Sequence, residues 1–296
     1  MLPVSKLISP LPMDTLHQIV KHVNGPKEGT AEHLIHLALE TKAGFAYRTL
    51  LGEMMYAYVS CRPDIGYPIT LMSKYASNPE AYHYTCLKNI AKYLRTTKHW
   101  GIKYKRSNLR MNLKPCTDPE IFEKDPKLPD YPEDITQSKL ICFVDAAYGN
   151  DPKKRRSTTG YAFTYSGGAI VYRSKAQSIV ALSSTEAELI AAVTAAKTAR
   201  YLRSILRELG FEQSDPTPIY EDNMSAIDIV NSNKPTERSR HIDIRFFAIQ
   251  DWKARGDIEL FHIPGAINPA DDLTKPLGYV LHKRHARYIM GHCYHR

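Results

Sequence analysis

Four acidic residues of this 296-residue chain lie where predicted strands end or predicted helices begin. Asp145 closes the apolar run "KLICFVD", Asp222 closes "PIYED", Glu188 lies in "SSTEAELIAA" and Asp271 lies in "NPADDL". In open α/β sheets, functional groups collect at such places. Carboxylates gathered at close range raise one another's pKa, and divalent cations remove that penalty. Hard oxygen ligands without His or Cys favour Mg²⁺ or Mn²⁺, and two such ions together suit phosphodiester hydrolysis.

Glu188 has a close neighbour, Glu186, at the start of the same predicted helix, over about residues 184–209. Both could be solvated, both could cap the helix, or one could do chemistry. Ser183 and Glu186 have the spacing of a capping box, which gives Glu186 a structural role. Glu188 lies about 200° around the helix from Glu186, beside the apolar stripe that starts at Leu189. An acid at the border of a buried face needs a partner, so Glu188 is the candidate ligand.

The stretch from residue 139 to 278 alternates strand-like and helix-like patterns. "KLICFVDAAYG" is typical of a strand buried on both faces, and "GYAFTYSGGAIVYRS" predicts two strands joined at Gly167 and Gly168. The long helix stops at Gly210. A strand, two helices, another strand and a last helical turn complete the order. This order predicts an α/β fold with a mixed five-stranded sheet and flanking helices.

The chain ahead of the sheet is predicted to be mainly helical. Apolar residues recur near the helical period from Tyr47, and the pattern breaks at Arg62-Pro63. A second helix is predicted with Asn78 as its N-cap and Pro79 in its first turn. "GIKYKR" then predicts a short strand.

Composition predicts a folded protein without a membrane-spanning segment. Hydrophobic residues make up 43% of the chain, no apolar run reaches about 18 residues, and the start lacks a secretory pattern, so we expect an intracellular protein. Five scattered cysteines indicate neither a disulfide framework nor a zinc site.

The net charge of +9 invites a nucleic-acid interpretation. Residues 139–278, however, hold 18 Lys and Arg against 17 Asp and Glu, so local clusters matter more.

Several motifs carry a family resemblance. "FVDAAYGN", "RRSTTGYAF", "RSKAQSIVALSSTEAELIAA", "YEDNMSAI", "RHIDIRF" and "NPADDLTKPL" closely resemble the ribonuclease H domain of copia-type retrotransposon Pol polyproteins. Upstream, "YRTLLGEMMYAYVSCRPDIGYPITLMSKYASNP" and "KNIAKYLRTTKHWGIKY" resemble the part of those polyproteins that follows the reverse transcriptase palm. The resemblance covers about residues 45–290.

This resemblance implies a ribonuclease H fold that cuts the RNA strand of RNA/DNA hybrids with two Mg²⁺ or Mn²⁺ ions. By motif position, Asp145 would bridge both metals and Glu188 would hold the metal on the leaving-group side. Asp222 matches the aspartate after the fourth strand. Asp271 matches the last aspartate, beside the attacking water. The expected partners are an RNA/DNA hybrid and the palm and integrase portions of the same polyprotein.

The basic run from Lys153 to Arg156 follows the first strand. Such a run can be a solvated face, or it can contact phosphates and give salt-sensitive affinity. Because they lie close to Asp145 in the sequence and in the family motif, Arg155, Arg156 and Ser157 are the candidate nucleic-acid contacts, together with Asn223.

The resemblance also predicts a division of the chain. Residues 1–106 would be a remnant of the reverse transcriptase C-terminal region, 107–138 a linker rich in Pro, Asp and Lys, and 139–278 the ribonuclease H-like domain. Residues 279–296 would be a basic tail. Its four His and one Cys suggest metal binding, but the match to the basic end of these polyproteins favours a surface helix.

Some positions depart from the family pattern. The loop "PGAINPA" lacks a His that cellular ribonucleases H often carry, so turnover is expected to be slow. Phe247 stands where the family usually has a His, and Gln250 where it often has a basic residue. The sequence has no Tyr-x-Asp-Asp polymerase motif, so we expect no polymerase activity.

An alternative is a non-catalytic fragment of a decayed element. An active element would place the chain in a cytoplasmic particle or the nucleus.

Overall fold

The computed structural model describes residues 9–11, 13, 31–104, 139–232 and 243–291. Its sheet has five strands: β1 (Ile141–Ala147), β2 (Thr158–Tyr165), β3 (Gly168–Ala176), β4 (Thr217–Glu221) and β5 (Ile258–His262). They lie in the order β3-β2-β1-β4-β5. The strands β1, β2 and β3 pair antiparallel, whereas β4 pairs parallel with both β1 and β5. The predicted mixed five-stranded sheet is therefore confirmed.

Along the chain, the helices of the described ranges precede the strands, lie between them and follow them. They are α1 (Ala31–Ala43), α2 (Tyr47–Cys61), α3 (Gly66–Ser73), α4 (Ala81–Thr96), α5 (Ser184–Glu208), α6 (Met224–Asn231), α7 (Asp243–Ala254) and α8 (Tyr279–Ile289). Short 3₁₀ turns cover Pro63–Ile65, Gly265–Ile267 and Pro269–Leu273. None of the helices within these ranges is both long and apolar enough to cross a membrane.

The hairpin between β2 and β3 turns at Ser166 and Gly167. Both residues have a positive φ, 52° and 85°, which a two-residue type I′ turn requires and which matches the twist of the strands. The predicted glycine pair is thus displaced by one position, because Gly168 begins β3. A Cβ at Gly168 would lie 2.5 Å from the carbonyl oxygen of Lys103, so this close approach needs glycine.

Alternate side chains of β1 belong to two separate cores. Cys142 and Val144 are fully buried in one core with the alanine-rich side of α5. Ile141 and Phe143 are buried in the other, which α8 and the two later 3₁₀ turns complete. This follows from the two-residue period of a strand. The end of β1, where Asp145 lies, is consequently enclosed by elements on both faces.

Helices α2, α3 and α4 have their own core, and α2 and α3 also pack against the edge strand β3. The Tyr58 hydroxyl accepts the Ser174 amide at 3.0 Å, and the Tyr172 hydroxyl donates to the Tyr58 carbonyl at 2.6 Å. The Thr70 hydroxyl donates to the Ser174 carbonyl at 3.3 Å. An exposed edge strand invites pairing with other chains, and these helices cover it.

Helix α4 begins later than the sequence pattern predicts. Glu80 is its N-cap, and Glu80 and His83 form a reciprocal capping box in which the Glu80 amide donates to His83 Nδ1 at 2.8 Å. The Asn78 amide instead donates to the Tyr75 carbonyl at 3.1 Å and so closes the preceding turn. The predicted Asn78 cap was therefore wrong. The capping box of Glu80 and His83 gives hydrogen-bond partners to two backbone amides at the actual start of the helix.

The short strand predicted from "GIKYKR" is not formed in its described part. Residues 101–104 have no regular secondary structure. The Lys103 amide donates to the Met290 carbonyl at 2.8 Å, and the Tyr104 hydroxyl donates to the Ala169 carbonyl at 2.8 Å. These isolated bonds dock the segment without making a ladder. Residues 105 and 106 and the predicted linker, 107–138, lie outside the described residues.

Helix α8 is an internal element, although the sequence predicted a surface helix. Its residues His282, His285, Tyr288 and Ile289 are each at most 3% exposed. The histidine-rich composition hid this face, because an imidazole with hydrogen-bond partners can be buried where Lys or Arg rarely is. Residues 292–296 lie outside the described part of the chain.

Candidate metal centre

Three of the four predicted carboxylates meet at one place. One ligand oxygen from each of Asp145, Glu188 and Asp222 lies within 4.8 Å of the others. Asp145 lies near the carboxyl end of β1, Asp222 directly follows β4, and Glu188 lies near the amino end of α5. Because β1 and β4 are parallel neighbours, their carboxyl ends share one edge of the sheet. The topology therefore gathers these acids from three separate elements.

These carboxylates are held away from water. Asp145 is 2% and Glu188 is 6% exposed, and Asp222 is half-buried. Burial, followed by the charges of Glu221, Asp145 and Asp222, raises the pKa of Glu188 to about 11. Burial and then Asp145 also raise the pKa of Asp222. Within the described chain, Glu188 Oε2 has no hydrogen-bond partner. The cluster is thus built at an electrostatic cost that a bound cation would offset.

Asp271 approaches the cluster from the 3₁₀ turn Pro269–Leu273 and is 7% exposed. It is linked to Asp145 through Lys275, whose Nζ lies 2.8 Å from Asp271 Oδ1 and 4.0 Å from Asp145 Oδ2. Burial and then Asp145 raise the pKa of Asp271 to about 8. Burial would lower the pKa of Lys275, but Asp145 and Asp271 raise it to about 12. Lys275 was not among the predicted site residues.

The turn that carries Asp271 is tied directly to β1. The Asn268 side-chain amide donates to the Val144 carbonyl at 2.8 Å, and the Thr274 hydroxyl donates to Asp145 Oδ2. The turn also lies against β2, where a Cβ at Gly160 would come within 2.5 Å of Thr274 Cγ2. Glycine is therefore required there, and Thr274 fixes the orientation of the Asp145 carboxylate.

Glu221 is a further acid of the site that the sequence analysis did not select. It is fully buried, and its Oε1 accepts the Asn223 amide at 3.1 Å. Burial is the main cause of a pKa well above the usual range; the bond from Asn223 opposes it, and Asp222 and Asp145 add to it. The available signal was an acid at the end of a short apolar strand, immediately before Asp222. Burial therefore disfavours the charged form of Glu221 beside the three clustered carboxylates.

The four candidate nucleic-acid contacts differ in their exposure. Arg155 is exposed and Arg156 is half-buried. Ser157 is fully buried, and its hydroxyl accepts the Gly149 amide at 3.0 Å; it shapes the loop and leaves no side-chain surface for a phosphate. The Asn223 side chain caps α6 by accepting the Ala226 amide at 3.1 Å, which commits its oxygen to the helix. Two of the four residues thus have structural bonds that the sequence analysis did not predict.

A chain of buried polar groups connects the helices before the sheet to the turn that carries Asp271. Arg62 binds Asp64 through two nitrogens, at 2.9 and 2.6 Å. The Tyr93 hydroxyl donates to Asp64 Oδ2 at 2.7 Å and lies 2.9 Å from His282 Nε2. His282 Nδ1 lies 2.6 Å from Asp272 Oδ1. Burial would lower the pKa of His282, but Asp272 raises it. All five side chains are almost completely buried.

The donors of the site fit a hard divalent cation. They are all carboxylate oxygens, and Glu188 Oε2 is buried without a hydrogen-bond partner among the described residues. Mg²⁺ and Mn²⁺ prefer such ligands. Asp145, Glu188 and Asp222 could share one ion. Asp271, which Lys275 joins to Asp145, could hold a second ion with Asp145.

Two curated relatives cover most of the chain. It is similar to the retrovirus-related Pol polyprotein from transposon TNT 1-94 of Nicotiana tabacum, with 35% identity over 229 residues, which are 77% of this chain and 15% of that protein. It is also similar to the Pol polyprotein from transposon RE2 of Arabidopsis thaliana, with 27% identity over 269 residues, 91% of this chain and 16% of that protein. The chain thus spans a small part of these relatives. No family model matches.

Among solved structures, the chain is similar to LC11-RNase H1 in complex with an RNA/DNA hybrid. The sequence identity is 16% and the TM-score is 0.37, and the match covers 46% of this chain and 94% of that one.

Proposed function

Because the chain belongs to the copia-type retrotransposon Pol polyproteins, we propose that its residues 139–278 hydrolyse the RNA strand of RNA/DNA hybrids with two Mg²⁺ or Mn²⁺ ions. One observation carries this proposal: Asp145, Glu188 and Asp222 lie within 4.8 Å of one another at the carboxyl end of parallel strands. Burying several carboxylates together is unfavourable unless something neutralises their charge, and a bound cation would do so. The palm and integrase portions of such polyproteins are the partners we expect beside the hybrid.

In this proposal each carboxylate has a stated place. Asp145 would be a ligand of both ions. Glu188 would hold the ion on the leaving-group side together with Asp222, and Asp271 would hold the ion beside the attacking water. When bound, the ions supply an activated water and neutralise charge at the leaving oxygen. The chain's own contribution is orientation. Thr274 fixes Asp145, and Asn268 fixes the turn with Asp271.

Arg155 and Arg156 are proposed to bind phosphates next to this site, and the resulting affinity should fall as salt rises. The enzyme must also recognise the 2′-hydroxyl, which distinguishes RNA from DNA. The loop before Asp271 contains no His, so no imidazole is available there to move protons. We therefore expect slow turnover.

The test is cleavage of a labelled RNA/DNA hybrid by the purified chain in Mg²⁺ and in EDTA, beside RNA/RNA and DNA/DNA duplexes. Asp145→Asn keeps the shape of the side chain but removes the charge, so we expect cleavage to fall by about a hundredfold or more. Asp228→Asn on the exposed side of α6 removes the same charge elsewhere and should keep full activity.

Two outcomes would contradict the proposal. Equal cleavage by Asp145→Asn and the unchanged chain would exclude this site. A folded chain that cuts none of the duplexes in Mg²⁺ or Mn²⁺ would favour the alternative, a non-catalytic fragment.

A further inference from the structure

Lys275 is placed between the first and the last of the four carboxylates. Its Nζ lies 2.8 Å from Asp271 Oδ1 and 4.0 Å from Asp145 Oδ2. The backbone holds it there, since the Lys275 amide donates to the Asp271 carbonyl at 3.1 Å and the preceding residue, Thr274, is bonded to Asp145. The ammonium group therefore neutralises the same two carboxylates that a second divalent ion would use.

We propose that Lys275 is an internal competitor of the divalent cation that Asp271 binds, and that this ion must displace the ammonium group from Asp271 and Asp145. The inference rests on the proposed metal site. An ammonium and a divalent cation cannot both contact the same carboxylate oxygens, because like charges at contact distance repel strongly. Among the ion pairs of the described residues, Lys275 joins Asp271 and Asp145, and no ammonium group contacts Glu188 or Asp222. The two ions are consequently expected to bind with unequal affinity.

The displaced side chain has a path to leave. The Lys275 side chain is 41% exposed, whereas those of Asp145 and Asp271 are 3% and 11% exposed. The lysine can therefore rotate toward solvent on its flexible stem, while the carboxylates stay where Thr274 and the 3₁₀ turn hold them. Exchange of the ammonium for a divalent cation needs no movement of the sheet.

The experiment is calorimetric titration of Mn²⁺ into the purified full chain without nucleic acid. Lys275→Met should tighten the weaker binding step by roughly threefold to tenfold, because the competing charge is gone. Lys275→Arg keeps the charge and should stay within about twofold of the unchanged chain. Lys197→Met removes an exposed lysine from the same domain, nine positions after Glu188 on α5, and should have no effect.

The outcomes separate this inference from the proposed function. If the unchanged chain binds Mn²⁺ and Lys275→Met binds it equally or more weakly, the inference fails and the metal site stands. If no variant binds Mn²⁺, both fail. Weaker binding of the hybrid by Lys275→Met with unchanged Mn²⁺ affinity would assign the lysine to a phosphate and overturn the inference. Lys275→Gln is titrated in parallel, and thermal unfolding in EDTA checks that each variant is folded.

Discussion

The carboxylates of the site differ in how strongly the fold opposes their ionisation. Glu188 is enclosed between α5 and the ends of two strands, and burial raises its pKa to about 11. Asp271 keeps an ammonium partner, and its pKa rises less, to about 8. Burial is the main cause of both shifts, and the charge of Glu221 adds to the rise in the pKa of Glu188. Asp271 also forms a direct ion pair with Lys275, which lowers its pKa. Without a divalent ion, proton binding to these carboxylates therefore neutralises part of the negative charge of the site.

This proton uptake predicts a pH dependence of stability. Asp271 has a usual pKa of 3.8 and a folded pKa of about 8. Between these values the folded state binds more protons than the unfolded state, so the stability of the metal-free protein should fall as pH rises from about 4 to about 8. Asp271→Asn cannot ionise, and its stability should fall less over this range. Thermal unfolding in EDTA at several pH values measures the difference, at roughly 2–4 °C per kcal/mol.

The control for this prediction is Asp228→Asn, which removes an exposed carboxylate of α6 and should reproduce the unchanged pH profile. Parallel profiles for Asp271→Asn and the unchanged chain would show that Asp271 ionises as easily in the fold as in the unfolded chain.

At the scale of residues, the sequence was informative about acids and silent about their partners. Asp145, Glu188, Asp222 and Asp271 could be selected because each ends or begins an apolar element. Thr274 and Asn268 could not, because their contacts with β1 join positions 129 and 124 residues apart. Local periodicity carries no information about such contacts. Lys275 was missed for the same reason, since only the fold shows which charges it adjoins. Glu221 could have been selected, because it ends the same apolar strand immediately before Asp222.

At the scale of elements, the start of α5 shows how a local signal positions a distant site. Ser183 Oγ accepts the Glu186 amide at 3.1 Å, which confirms the predicted cap. The return bond differs slightly: Glu186 Oε2 accepts the amide of Leu182 at 2.7 Å, one residue before the cap. Glu186 is thus a structural residue. Its bonds order the first turn of α5, and Glu188 follows directly after that turn on the buried side.

Ser183→Ala tests this role. Loss of the cap should lower the free energy of unfolding by about 1 kcal/mol and should reduce cleavage, because Glu188 directly follows the turn that frays. Urea unfolding and the hybrid cleavage assay measure the two effects. Ser184→Ala, at the next exposed position, removes a hydroxyl without removing the cap and should change little. Equal stability of the two variants would exclude the capping role.

Element boundaries were predictable where one strong local signal decides them. The stop of the long helix at Gly210, with φ of 81°, and the break at Pro63 are of this kind. The start of α4 was not, because two capping signals, at Asn78 and at Glu80, lie within three residues. The burial of α8 was not predictable either, since its His282 is stabilised by Asp272 and Tyr93, which belong to other elements.

At the scale of the whole molecule, the predicted division at residues 107–138 separates two regions that share buried polar groups. Arg62, Asp64 and Tyr93 belong to the helices before the sheet, and Asp272 and His282 belong to the region after it. Separation would expose these groups or leave them unpaired, and an unpaired buried partner costs about 1–3 kcal/mol. The packing of Tyr58 against Tyr172 and Ser174 adds to this contact. We therefore expect the two regions to stay together without a covalent link.

A cut chain tests this expectation. A protease recognition sequence placed between residues 107 and 138 allows the backbone to be severed after folding, and the two pieces should co-elute in size-exclusion chromatography. Tyr93→Phe keeps the ring but removes the partner of His282 Nε2, so association should weaken about fivefold to a hundredfold. Tyr56→Phe alters a 76% exposed tyrosine of α2 and should have no effect. Pieces of the unchanged sequence that separate after the cut would refute the shared interior.

The buried polar chain also bears on how such a sequence can be inherited. Tyr93 and His282 lie 189 positions apart, yet a substitution at one removes a hydrogen-bond partner of the other. A duplicate that kept only residues 139–278 would lose Arg62, Asp64 and Tyr93 together, and would carry Asp272, the neighbour of Asp271, with its support incomplete. The smallest segment expected to survive copying with the site intact therefore begins near α2 and extends through α8.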